Sequence, residues 1–121
     1  MDNDRQGRID WNADTFPDII KDDDRYDPRA YTLVLAVTEG VTEHITGAEL
    51  LERFRDFTLD EFGPMSYAVL TDWGIRNCGD VGEIVFNLVE TKRLGKTERD
   101  SRADFIGGYD FRETFLGPYE A

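Results

Sequence analysis

The sequence predicts an all-α domain, a compact bundle of about four to five helices closed by an irregular C-terminal strap. Three observations lead there. Apolar residues recur at helical spacing in successive stretches, helix-start residues stand just ahead of those stretches, and glycine or Gly-Pro follows them. A chain of 121 residues is the usual size of one domain and can bury one core. Residues 16–121 are therefore read as a single helical domain behind a polar tail at 1–15.

The tail carries one apolar plug, Ile9 and Trp11. Phe16-Pro17-Asp18-Ile19-Ile20 suggests a short helix, closed by the solvated run Asp22-Asp23-Asp24. Asp27-Pro28 is a helix start, an N-cap acceptor followed by proline at the first helical position. Tyr31, Val34, Leu35, Thr38, Val41 and Ile45 then share one face, while Leu33 and Val37 form a second apolar edge. That edge is either central to the fold or half of an interface. Thr46-Gly47-Ala48-Glu49 is a capping box opening a helix with Leu50, Leu51, Phe54, Phe57 and Phe62 on its apolar stripe. Gly63-Pro64 ends it, and Pro64 starts a short third helix with Met65, Val69 and Trp73 on one face. Asn77 caps a fourth helix from about Cys78 to Lys92 whose core face is Val81, Ile84, Val85, Leu88 and Val89. After Gly95 the reading divides. A short helix and a strap anchored by Phe105, Tyr109, Phe111 and Phe115 is favoured; the alternative turns Gly107-Gly108 into a β-hairpin, giving an α+β, winged-helix-like fold.

Charge limits the partners. The 26 acidic residues outnumber 14 lysines and arginines, and the resulting −12 repels nucleic-acid phosphates and anionic lipid. Cys78 is the single cysteine, so neither an intrachain disulfide nor a cysteine zinc cluster can form. Residues 1–5 lack the apolar core of a signal peptide, and the apolar runs 33–37 and 84–86 are too short for a bilayer. The expected setting is a reducing cytoplasm, with no membrane association.

Several strings combine into a resemblance: Asp27-Pro28-Arg29-Ala30-Tyr31, Gly47-Ala48-Glu49-Leu50-Leu51, Phe62-Gly63-Pro64-Met65, Asp72-Trp73-Gly74-Ile75-Arg76, the stretch Gly82 to Val89, Leu94-Gly95-Lys96-Thr97, Asp100-Ser101-Arg102 and Tyr109-Asp110-Phe111. Over roughly residues 25–116 the chain resembles a family of small uncharacterised bacterial proteins from planctomycete and verrucomicrobial genomes. The resemblance implies a cytoplasmic bacterial protein. It brings no catalytic residues with it.

Four constellations carry chemistry. Asp80, Glu83, Asn87 and Glu90 share the polar side of the fourth helix, where carboxylates and an amide suit Mg²⁺ or Mn²⁺; they equally form an ordinary solvated face. Glu61 falls on the stripe of Leu50, Phe54 and Phe57, so it is either a buried acid–base group or a carboxylate reaching out towards an arginine such as Arg76. Trp73 and Arg76 flank the Gly74 turn, and an arginine fork there could take an anion or a peptide carboxylate; otherwise Trp73 is core and Arg76 closes an ion pair. Asp100-Ser101-Arg102 with Asp104 and Asp110 reads as a loop for a partner or a cation, or as solvated chain. The lone His44 excludes a histidine-rich metal site. No P-loop, dinucleotide fingerprint or nucleophile elbow occurs, so no cofactor is expected.

The favoured expectation is a non-enzymatic protein-interaction or regulatory module. It would bind a protein partner, or itself, through the second edge of the first helix and the aromatic strap. The alternatives are a small divalent-metal-assisted enzyme using the fourth-helix carboxylates and a winged-helix-like regulator.

Overall fold

A computed structural model describes residues 25–39, 46–91, 105 and 108–119. The expected tail, the helix at 16–20, the run at 22–24, Val41, His44, Ile45 and residues 92–104 lie outside the described residues.

Local chemistry sets each helix end. Asp27 caps α1 (Pro28–Thr38) by accepting the Arg29 N–H at 2.9 Å, and Pro28 occupies the position where a missing N–H does no harm. The capping box of α2 (Gly47–Phe62) forms in full, with Glu49 N–H on Thr46 Oγ1 and Thr46 N–H on Glu49 Oε1. Asn77 Oδ1 accepts from the Asp80 N–H to open α4 (Cys78–Glu90). Between them, a 3₁₀ turn at Gly63–Met65 leads into α3 (Ser66–Asp72). That turn corrects the expected third helix. Met65, inside the 3₁₀ turn, stands 59% exposed, while Val69 packs half-buried against the core and Trp73 is buried as expected, joined by Ser66 and Leu70.

Helix α1 is shorter than its apolar stripe suggests. Glu39 turns extended (φ −62°, ψ 133°) and its N–H closes on Ala36 O. The second edge of this helix is not spare. Leu33 is 0% and Val37 2% exposed, because α1 packs against both α2 and α4 and so needs apolar residues on two sides. Val81, Ile84, Val85 and Leu88 of α4 are buried as their spacing predicts, while Val89 is half-buried.

The strap exists, with more order than expected. Asp110 caps a short helix, α5 (Phe111–Phe115), and a 3₁₀ turn follows at Gly117–Tyr119. Phe111 and Phe115 meet edge-on at 4.9 Å and both contact Phe54 of α2, and Tyr109 stacks along Phe111. Phe105 seats against Gly82, where an added Cβ would come within 2.7 Å of its ring. Burying each of these phenylalanines contributes about 1.5–3 kcal/mol, against about 1 kcal/mol for a hydrogen bond. Aromatic burial, then, is what holds the strap.

The hairpin alternative is corrected by the same residues. Phe111, which would lie in its second strand, opens a helix, and no strand occurs among the described residues. The architecture is an all-α bundle.

Candidate functional site

The fourth-helix constellation comes together as a structural seam. Asp80 takes the Tyr26 hydroxyl on Oδ1 at 2.7 Å and the Arg76 N–H on Oδ2 at 2.9 Å. Glu83 faces Arg25 at 3.5 Å, and the Asn87 amide donates to the Tyr31 hydroxyl at 3.1 Å. Asp80 and Glu83 therefore meet donors from the segment leading into α1, while Asn87 donates to α1 itself. Among the described residues no set of three or more His, Cys, Asp or Glu side chains is placed to hold a metal ion.

Trp73 belongs to the same seam. It is 7% exposed and sits edge-on to Phe62, with the Arg29 guanidinium 5.4 Å above its ring and its carbonyl accepting the Asp27 N–H. Arg29 also forks onto both Asp27 oxygens at 2.9 Å; that bond holds the Asp27 carboxyl below its ordinary range. Gly74 makes the join possible: at φ +93° it turns left-handed, and a Cβ would lie 2.5 Å from the Arg25 carbonyl. Trp73 is thus core, as one of the two sequence readings has it.

Glu61 stays apart from this group. It is half-buried near the end of α2, with Oε1 shut off from solvent.

Arg76 leads elsewhere. Its backbone N–H is fixed by Asp80, and the exposed residue lines a cleft of about 550 Å³. Tyr67 of α3 and Arg76-Asn77-Cys78-Gly79 form one wall, and Tyr109-Asp110-Phe111-Arg112 form the other. None of Glu61, Asp80, Glu83 or Asn87 lines it. Arg112 and Asp110 stand on a ridge, since both also border a neighbouring hollow with Glu113, Gly117 and Pro118.

Three contacts fix the second wall. The Tyr109 hydroxyl donates to Leu51 O at 2.7 Å, the Cys78 thiol donates to Tyr109 O at 3.6 Å, and Gly108 fits tightly over Leu51 and Cys78. Burial pushes both the Cys78 thiol and the Tyr109 phenol above their ordinary pKa ranges. Sequence reasoning singled out Arg76 and missed Tyr67, Cys78, Tyr109 and Arg112 as its companions. Only Asp110-Phe111-Arg112-Glu113 offered a signal, the spacing of an N-cap and a following glutamate that starts α5 and so places Arg112.

No protein-family model, curated protein or solved structure matches the chain. No described helix is long and apolar enough to cross a membrane.

Proposed function

We propose that the protein is a non-enzymatic interaction module that binds a partner protein in the cleft between the α3–α4 turn and α5. The observation that carries this reading is the lining itself. Tyr67, Tyr109, Arg76 and Arg112 are the residue types that dominate binding hot spots, gathered around one concave surface of ordinary ligand-site size. The engagement of Asp80 and Glu83 by neighbouring donors, and of the Asn87 amide with the Tyr31 hydroxyl, favours a binding role over a metal-assisted reaction. The second edge of α1 and the strap phenylalanines are consumed by the core, which moves the expected interaction surface to this cleft. A bacterial cytoplasmic setting is part of the same proposal, supported by the single cysteine and by the strings that run from Phe62 to Phe111.

A photo-crosslinking residue tests the reading. Placed at Tyr67 in cells of the source organism, it should yield one discrete protein adduct, and at Glu39 none. Equal labelling from both positions, or none from Tyr67, overturns the proposal.

A further inference from the structure

We infer that the cleft takes the free C-terminal carboxylate of a partner polypeptide, with Arg76 as its principal donor; this rests on the binding reading above. Arg76 sits on the turn between α3 and α4, exposed and bordering the cleft, with its main-chain N–H tied to Asp80. A guanidinium presents two parallel N–H donors, which match the two oxygens of one carboxylate. Arg112 adds positive charge from the other wall.

The wall that carries Arg76 is compatible with an anion. Cys78 and Gly79 lie in the first turn of α4, where backbone N–H groups have no acceptor inside the helix, and Gly79 has no side chain to block approach. The Asn77 side chain is already engaged by Asp80 N–H and stays out of the exchange.

Charge selects among anions. Asp110 also lines the cleft, and Asp80 stands behind Arg76, so the two arginines are partly offset. A dianion such as phosphate is disfavoured relative to a monoanion. The walls complete the match. A chain end carries its carboxylate and its last side chain on one residue, so the first can reach Arg76 while the second lies against the half-buried rings of Tyr67 and Tyr109. An acidic side chain inside a peptide offers no such neighbouring apolar group.

Fluorescence anisotropy with a labelled pool of short randomised peptides ending in leucine decides it. The free-acid pool should bind the full chain, and the same pool with an amidated end should bind at least about tenfold more weakly, the loss expected for a charge-assisted bond. Arg76→Gln should reproduce that loss for the free acid while melting like the parent chain, and Glu39→Gln should change nothing. A peptide with an internal aspartate and an amidated end should fail to compete, as should inorganic phosphate. Equal affinity of acid and amide pools, competition by either alternative anion, no binding of the free-acid pool, or indifference to Arg76→Gln overturns the inference. The crosslinking result separates its failure from failure of the binding reading, because an adduct at Tyr67 does not depend on a carboxylate.

Discussion

The Tyr26 hydroxyl donates to Asp80 at 2.7 Å, joining residues 54 positions apart in the chain. Tyr26 is 3% exposed, so its ring fills the core while its oxygen ties the approach to α1 onto the start of α4. Tyr26→Phe keeps the ring and deletes the bond. The expected cost is about 1.5–3 kcal/mol, the range for a hydrogen bond to a charged group, read as a lower urea midpoint with unchanged slope.

Gly74 and Gly63 both adopt positive φ, but only one is crowded. A Cβ at Gly63 meets nothing within 4 Å, whereas at Gly74 it meets the Arg25 carbonyl at 2.5 Å. Gly63→Ala should cost about 1–3 kcal/mol from backbone strain alone. Gly74→Ala should cost more, because the segment before α1 must also move. Equal losses in thermal melts would contradict the assigned packing.

Alkaline pH should loosen the strap. The folded chain holds the Cys78 and Tyr109 protons more tightly than the unfolded chain, whose values sit near 9.0 and 10.0. Below those values their contribution is complete. As pH rises past each, the unfolded state loses a proton that the folded state retains, and stability falls by up to about 1.4 kcal/mol per pH unit per group. Nearby Arg55 opposes the shift at Tyr109, and burial outweighs it. Tyr109→Phe should flatten the steeper part of the decline in urea midpoints, and Cys78→Ala its onset.

Thr58 is fully buried, and its Oγ1 makes no hydrogen bond. A buried hydroxyl left so costs about 1–3 kcal/mol, and an apolar group of the same shape removes that cost. Thr58→Val should therefore raise the melting temperature. A fall would show that the hydroxyl is satisfied in solution.

The helix caps were legible because their chemistry is local: Asp27, Thr46 and Asn77 each bond a backbone N–H two or three residues on. The burial of Leu33 and Val37 was only half legible. Spacing shows that two sides of α1 are apolar, but not whether a second helix or a partner covers the second side. The 3₁₀ turn that leaves Met65 exposed was not legible, because Pro64 suggests a helix start whether the next turn is α or 3₁₀. For the candidate site, Arg76 could be chosen from its neighbours in sequence. Arg112 could not, since it reaches the cleft only once Tyr109 is hung from Leu51 and Cys78.

The stacking of Arg29 over Trp73 has a practical consequence. Trp73 is one of two tryptophans, the other being Trp11, so Trp11→Phe leaves a single indole in the chain. That indole lies between Phe62 and a guanidinium, with its carbonyl on the Asp27 N–H. Its emission colour and quenching would then report opening of this one seam, independently of the melting of the bundle as a whole. The molecule carries its own optical gauge at the junction where its first helix is fastened down.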